Sequence, residues 1–140
     1  VQQLGHTHGK VIRVRPDGTF PDDNLGVRSD GPGGAHHDGI WALGVRNGWR
    51  ATWDLPSSRY LLASVGGNDN AVSWEAVYDV AGGDNLGWPL CEGPCDNRDF
   101  PACSCAEHDD PALAYAHGGK AKSISGGFVY RGRQFPAEYD

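Results

Sequence analysis

The sequence predicts an all-β protein, and two observations carry that prediction. The chain has 140 residues with 21 Gly and 9 Pro, yet 39% of its residues are hydrophobic and 10% are aromatic. Such a mixture is typical of a folded protein rich in turns and not of a disordered one. Between residues 39 and 89, short apolar runs are separated by turn-forming residues. Evenly spaced short runs of this kind indicate antiparallel strands.

The clearest single element is a hairpin over residues 48–65. Apolar and polar side chains alternate in WRATWD, residues 49–54, which puts Trp49 and Trp53 on the same strand face. LPSS at 55–58 predicts the turn. The run from Tyr60 to Val65 is apolar at nearly every position, so we expect an interior strand covered on both faces. Alternation resumes from residue 74 to residue 80, which predicts the next strand.

The first forty residues predict one strand and a long loop. In GKVIRVRPDG, residues 9–18, Ile12 and Val14 lie opposite two arginines, and the Pro-Asp-Gly sequence predicts a turn that closes the strand. Residues 19–38 predict a loop. His6 and His8 would share a strand face and could bind a metal, but no third ligand is evident nearby, so we expect a solvated strand end. Adjacent residues such as those of the His36-His37 pair point to opposite faces, which favours a solvated loop there.

Charge and composition exclude several functions. The formal net charge is −6, and the 12 basic residues form no run, which argues against nucleic-acid binding. No stretch approaches the roughly 20 apolar residues that span a bilayer. Four Cys lie between residues 91 and 105 in a chain without Met, which predicts an oxidising compartment and a secreted or periplasmic protein. Because the chain begins without Met and stops after a strand-like run, we expect one partial domain, residues 1–140, truncated at both ends.

Several motifs together resemble the glucose/sorbosone dehydrogenase family. They are GKVIRVRPDGTFPDDN, IWALGVRNGWRATWD, YLLASVGG, GGDNLGWP and SISGGFVYRG, in the order and at the spacing of that family. The family includes soluble quinoprotein sugar dehydrogenases and, more distantly, the propeller domain of Hedgehog-interacting protein. The resemblance implies a six-bladed β-propeller of four-stranded antiparallel sheets. This chain would supply about three blades, with a Cys-rich loop, residues 91–110, inserted between blades.

The same resemblance assigns candidate site residues. The pair Arg46-Asn47 matches residues that reach pyrroloquinoline quinone (PQQ) at the mouth of the propeller's central channel. A guanidinium suits this cofactor because the cofactor carries carboxylates that accept paired hydrogen bonds. His117 lies in a stretch that also lines the channel mouth, and we expect it to contact a ligand. Gly66 and Gly67 match the positions whose backbone carbonyls hold calcium.

Two departures from the family pattern bear on function. Ser64 and Val65 stand where relatives have an acidic residue and often Gln, and the acidic pair before the next strand is represented by Trp74-Glu75. The general base that relatives use, a His, would precede Val1. We therefore assign no catalytic residue to this chain and expect the piece itself to be inactive.

The resemblance implies oxidation of an aldose C1 hydroxyl to a lactone by hydride transfer to the quinone. The expected partners are a sugar substrate or glycan and the remainder of the propeller chain. The alternative is a non-catalytic secreted propeller that binds a glycan or a protein partner on its loops. A stalk or scaffold module is a third possibility.

The cysteine pattern allows more than one interpretation. The spacing Cys-x3-Cys-x7-Cys-x-Cys fits no common zinc signature, and four cysteines permit three disulfide pairings. Relatives that carry CEGPC alone favour Cys91 with Cys95, which leaves Cys103 with Cys105, while crossed pairing stays open. The acidic residues at 107, 109 and 110 could bind calcium, but we expect them to serve turn chemistry.

Overall fold

The computed structural model describes residues 1–25, 38–68, 73–95, 103–118, 123–136 and 138. Its strands are short, and they confirm the all-β prediction. They are β1 (Lys10–Ile12), β2 (Ile40–Leu43), β3 (Gly48–Asp54), β4 (Arg59–Ser64), β5 (Trp74–Asp79) and β6 (Leu113–Ala116). None of the described residues lies in a helix with the length and hydrophobicity that a bilayer crossing requires.

The strands form two antiparallel sheets. One has four strands in the order β3-β4-β5-β6, so each strand pairs with its neighbour along the chain. The other pairs β1 with β2. Strand β6 was not predicted, because its sequence LAYA carries only a weak alternation. The four-stranded antiparallel sheet that the resemblance implied is confirmed.

The predicted hairpin is confirmed in its strands and its turn. Strands β3 and β4 pair from Asp54 opposite Arg59 to Gly48 opposite Ser64. The turn is one 3-10 turn over Leu55–Ser57, followed by Ser58 with φ 55°. Near its start β3 has a register shift between residues 48 and 50, as in a β-bulge. Trp49 lies at this shift and is 62% exposed.

One apolar core joins the two sheets. Trp53 at the far end of β3 has its ring centroid 6.1 Å from that of Trp41 in β2 and 5.1 Å from that of Tyr60 in β4. Trp41 is 8% exposed, and burying such a large apolar side chain contributes roughly 1.5–3 kcal/mol to folding, whereas Trp53 stays 53% exposed. The aromatic contacts therefore fix the two-stranded sheet against the end of the hairpin. The buried cluster contains Trp41, Ala42, Val45, Leu62, Ala76, Tyr78, Val80 and Leu86.

The first strand is shorter than predicted. Strand β1 ends at Ile12, and one further backbone bond joins Arg13 N to Gly39 O at 2.8 Å. Ile12 and Val14 are 40% and 53% exposed, so the expected apolar face is not covered. The ladder stops here because the register shifts between residues 11 and 12 and the chain then enters the predicted turn, in which Gly18 has φ +85°.

The histidines of the first forty residues fall into two groups. His6 and His8 are exposed, in agreement with a solvated strand end. His36 and His37 lie outside the described residues, as does most of the predicted 19–38 loop.

Residues 123–131 run across one face of the four-stranded sheet. Gly126 has φ +83°, and a Cβ there would lie 2.9 Å from the Cβ of Arg50, so this close approach requires glycine. Arg131 Nε donates to Asp54 Oδ1 at 2.8 Å, and a second hydrogen bond joins Arg131 Nη2 to Asp54 Oδ2. Between this segment and the sheet lies a cavity of about 350 Å³. The segment is therefore tied to the turn end of the hairpin by a two-point ion pair.

We expect the free energy of unfolding to depend less on pH in Arg131→Gln than in wild type. The Arg131 guanidinium, followed by the Ser57 hydroxyl, lowers the pKa of Asp54 from 3.8 to about 2. A lowered carboxyl pKa stabilises the fold above the unfolded value, and this contribution is lost as pH falls towards 2. Urea unfolding of the intact protein should therefore show a stability deficit in Arg131→Gln that is full at about pH 6 and shrinks below about pH 4.

The matched control is Arg133→Gln, which removes the same charge from an exposed position two residues beyond the segment. This control should have nearly wild-type stability at both pH values. A deficit in Arg131→Gln that is independent of pH would contradict the role given to Asp54.

Candidate functional site

The site lies at the end of the four-stranded sheet where β3 and β5 begin and β4 and β6 end, here called the site end. Gly48 pairs with Ser64, Ser64 with Ala76, and Trp74 with Ala116. Four antiparallel strands thus place their terminal residues side by side. The predicted site residues directly flank these strand ends: Arg46, Asn47, Gly66, Gly67 and His117. The structure therefore brings together positions that are up to 71 residues apart in the chain.

Arg46 is held by the turn that follows β4. Its Nη1 donates to Val65 O at 2.8 Å and to Gly66 O at 2.6 Å. Its guanidinium carbon lies 5.0 Å from the ring centroid of Trp88, within the range of a cation–π interaction. The Arg46 side chain is 25% exposed. These contacts fix the guanidinium in one orientation and leave a limited edge of it in solvent.

Glu92 links Arg46 to the same turn. Glu92 Oε2 lies 3.1 Å from Arg46 Nε, an ion pair whose alignment falls short of a hydrogen bond. Glu92 Oε1 accepts hydrogen bonds from Gly67 N at 3.0 Å and from Trp74 N at 2.9 Å. Gly66 must be glycine, because a Cβ there would overlap the backbone carbonyl of Trp74 and lie 2.9 Å from Glu92 Oε1. The carboxylate therefore joins Gly67 and the first residue of β5 to the arginine.

Asn47 and Gly67 complete this edge of the site. The backbone carbonyl of Asn47 accepts from Val65 N at 2.9 Å, while its side chain is exposed. A Cβ on Gly67 would lie 2.4 Å from Ser73 Oγ and 3.5 Å from Arg46 Nη2, so Gly67 packs directly beside both groups. Arg46 Nη2 and the Asn47 amide are consequently the groups that a ligand at this edge would meet first.

A second buried acid, Glu75, holds His117. His117 Nε2 lies 2.5 Å from Glu75 Oε1, and the two side chains are 4% and 0% exposed. Glu75 Oε2 accepts from Ile124 N at 3.0 Å, and His117 N donates to Ser73 O at 2.8 Å. Glu75 therefore joins β5, the residue after β6 and the segment that crosses the sheet. His117 is fixed in place, with Nε2 turned to the carboxylate.

The sequence reasoning did not select Glu75, Glu92 or Trp88 as site residues. Glu75 did carry a signal, because it is a carboxylate inside an otherwise apolar strand, and such a group requires a buried partner. Glu92 follows a cysteine in a loop where an acidic residue is ordinary. Trp88 lies in GGDNLGWP, which the family motif includes without a role. Their contacts with residues 40 or more positions away could not be deduced from local pattern.

The favoured disulfide pairing was wrong. The structure pairs Cys91 with Cys103 and Cys95 with Cys105, which is the crossed arrangement left open by the sequence. The physical reason is that residues 103–105 run beside 91–95, and alternate positions on two neighbouring segments face each other more easily than positions within one segment. All four cysteines are bonded.

Two acidic residues of the Cys-rich loop bind distant parts of the chain, where the sequence predicted local turn chemistry. Asp109 Oδ2 accepts from Asn85 N at 2.9 Å, and Asp110 Oδ1 accepts from Cys95 N at 2.6 Å. His108 is buried, and its Nδ1 lies 2.6 Å from Ser104 O, which fixes its ring beside Cys103. The sulfur atoms here could ligate a metal only after reduction, because each is part of a disulfide.

Residues 1–139 match the family model described as glucose/sorbosone dehydrogenase. The chain belongs to this family. It is 32% identical over 110 residues to the HIPL1 protein of Arabidopsis thaliana, an alignment that covers 69% of this chain and 15% of that protein. The chain thus spans about 15% of the length of the curated relative it matches.

Solved structures agree with this assignment. The PQQ-bound form of an aldose sugar dehydrogenase from Streptomyces coelicolor is 26% identical, with a TM-score of 0.56 over 82% of this chain and 28% of that one. The apo-form of the soluble aldose sugar dehydrogenase from Escherichia coli is 24% identical, with a TM-score of 0.65 over 82% and 32%. These neighbours are β-propeller dehydrogenases, so the fold is a portion of a β-propeller.

The two disulfides give a matched test of what positions Glu92. They close loops of nearly equal length, with sequence separations of 12 and 10, so each should contribute a similar amount, about 3 kcal/mol, by restricting the unfolded chain. Only the Cys91–Cys103 bond lies next to Glu92. We expect hydrogen exchange at Gly67 N and Trp74 N to accelerate in Cys91→Ala/Cys103→Ala and to change little in Cys95→Ala/Cys105→Ala. Equal acceleration in both variants would refute a specific role for the first disulfide.

Removing Glu75 should destabilise the protein strongly. Taking one partner from a buried pair costs about 3–5 kcal/mol, so we expect a loss of this size for Glu75→Ala in urea unfolding. Glu75→Gln keeps the volume and an oxygen that can accept from Ile124 N, and its loss should be clearly smaller. Equal losses in the two variants would mean that the carboxylate is not the relevant group.

Proposed function

We propose that the chain forms part of a quinone-dependent aldose dehydrogenase and that its site end lines the cofactor pocket. The observation that carries the proposal is the oriented Arg46 guanidinium beside the exposed Asn47 amide. Its Nη1 and Nε face protein groups, and its Nη2 lies beside Gly67. Family membership and the PQQ-bound relative support the same reading.

The residues at this edge fit an anionic quinone. PQQ carries three carboxylates and an ortho-quinone, and a fixed guanidinium edge with two remaining N–H groups suits one carboxylate. The Asn47 amide can donate to a quinone oxygen. Because Val65, Gly66 and Glu92 already fix Arg46, little conformational entropy would be lost when the ligand binds. When bound, PQQ supplies the hydride acceptor for oxidation of an aldose C1 hydroxyl to a lactone.

His117 belongs to the wall of this pocket and not to its acid–base chemistry. Its side chain is almost fully buried and its Nε2 faces Glu75. We propose that it positions the end of β6 against the pocket. The general base is proposed to come from a part of the protein outside this chain, in keeping with the absence of a matching His motif in residues 1–140.

The proposed location is secreted or periplasmic. Two disulfides, which account for all four cysteines, support an oxidising compartment. The proposed substrate is a sugar, in line with the sugar dehydrogenases among the solved relatives.

A second candidate function is a non-catalytic propeller that binds a glycan or a protein partner. It is favoured by Ser64 and Val65, which supply neither the carboxylate nor the amide of the family pattern. Binding of PQQ separates the two candidates, because a module of the second kind has no use for the quinone.

Arg46→Ala should weaken PQQ binding by the full-length protein. A charge-assisted hydrogen bond contributes roughly 1.5–3 kcal/mol, so we expect the Kd measured by calorimetric titration to rise about 10- to 100-fold. Arg46→Lys should recover part of this loss, because an ammonium cannot reproduce the planar fork. The control is Arg50→Ala, an exposed arginine on β3 whose removal changes the net charge equally.

Two results would count against the proposal. Wild-type protein that does not bind PQQ at micromolar concentrations would favour the non-catalytic propeller. Equal PQQ affinities for wild type and Arg46→Ala would mean that the protein binds the quinone but that Arg46 does not contribute to its binding.

A further inference from the structure

The turn after β4 already contains a cation. Arg46 Nη1 donates to both Val65 O and Gly66 O, at 2.8 and 2.6 Å. The carbonyl of Gly66 is one of the two that the family resemblance assigns to calcium. A calcium ion would lie 2.3–2.6 Å from such an oxygen, within a few ångströms of the guanidinium. Two positive charges at that separation repel each other, which disfavours a calcium ion beside the guanidinium.

The carboxylates near this turn, which a calcium ion would need as ligands, already have partners within the protein. Calcium sites combine carbonyls with carboxylates, and affinity rises with the number of charged ligands. Around the described part of this turn the acidic side chains are Glu92 and Glu75. Glu92 receives two backbone N–H groups and lies against Arg46, while Glu75 receives His117 and Ile124 N. Ser64 and Val65 add no carboxylate. Among the described residues of this turn, every nearby carboxylate therefore already has a partner within the protein.

We propose that Arg46 acts as a built-in cation that replaces calcium in the turn of residues 65–67. Its Nη1 binds the carbonyls of Val65 and Gly66, and its Nη2 presents positive charge to the ligand. The site therefore takes an anionic, carboxylate-bearing quinone without a metal ion. The identity of that ligand rests on the function proposed above, whereas the exclusion of calcium rests on the contacts of Arg46 and of the neighbouring carboxylates.

The arrangement explains why Glu92 and Trp88 surround this arginine. A guanidinium that serves as a fixed structural cation needs a counter-charge and a low-mobility environment. Glu92 supplies the charge at 3.1 Å, and Trp88 covers one guanidinium face.

The first experiment compares PQQ binding by the full-length protein in EDTA and in calcium chloride, by calorimetric titration. We expect the two Kd values to agree within about twofold, because no bound metal contributes to the affinity. Binding that requires calcium would overturn the inference and leave the proposed function intact. Binding in neither condition would end the proposed function, and the second experiment then decides the inference.

The second experiment follows thermal unfolding of the full-length protein in EDTA and in calcium up to about 5 mM, above the Kd range of weak extracellular sites. Arg46→Gln releases the carbonyls of Val65 and Gly66 and removes the guanidinium from Glu92. We expect this variant to gain a calcium-dependent rise in Tm beyond that of wild type. The gain should vanish in Arg46→Gln/Glu92→Gln, and Arg50→Gln should behave as wild type.

Each outcome decides the inference. A gain specific to Arg46→Gln supports it. A wild-type response as large as that of Arg46→Gln would show that the guanidinium does not exclude calcium and would overturn it. If Arg46→Gln does not fold, the comparison of wild-type PQQ binding in EDTA and calcium remains decisive wherever PQQ binds. If PQQ does not bind, the Tm of wild type and of Glu92→Gln is compared in EDTA and in calcium. A calcium-dependent rise in Tm that occurs in wild type and is lost in Glu92→Gln would overturn the inference. A wild-type Tm that does not respond to calcium would support the inference.

Discussion

The buried carboxylate of Glu92 is the interaction on which the rest of the site depends. It receives N–H groups from both sides of the loop between β4 and β5 and lies against Arg46. Hydrogen bonds to a charged group contribute about 1.5–3 kcal/mol each, and an unpaired carboxylate here would be costly. The carboxylate therefore couples the position of the Arg46 guanidinium to those of Gly67 and Trp74. Loss of Arg46 would leave this buried carboxylate without its counter-charge.

A second acid, Glu75, extends the same logic across the sheet. It lies on β5, the strand that follows the loop contacted by Glu92, and its two oxygens face His117 and Ile124 N. The site end is thus built from internal ion pairs and hydrogen bonds that involve neighbouring chain segments. Groups fixed in this way do not need to reorganise when a charged ligand arrives, which is the physical basis of preorganised electrostatic binding.

Local pattern predicted part of this molecule and could not predict the remainder. The alternation in WRATWD and the LPSS turn predicted the hairpin, because strand period and turn chemistry are local properties. Family motifs brought Arg46, Asn47 and His117 to notice. The pairing of Glu75 with His117 spans 42 residues, and the crossed disulfides depend on how a loop folds back. Such contacts follow from the packed structure and leave no periodic trace in the sequence.

The segment of residues 123–131 is secured at both ends of the sheet it crosses, by Ile124 N on Glu75 and by Arg131 on Asp54. These two contacts lie at opposite ends of the strands, so both can form only if the chain between residues 124 and 131 has the right length. A segment shifted by a few residues, or a different strand docked on this face, would leave at least one buried carboxylate unmatched. In an architecture built from similar sheets, neighbours can easily be exchanged during folding. The two contacts therefore make this face of the sheet specific for the segment of residues 123–131.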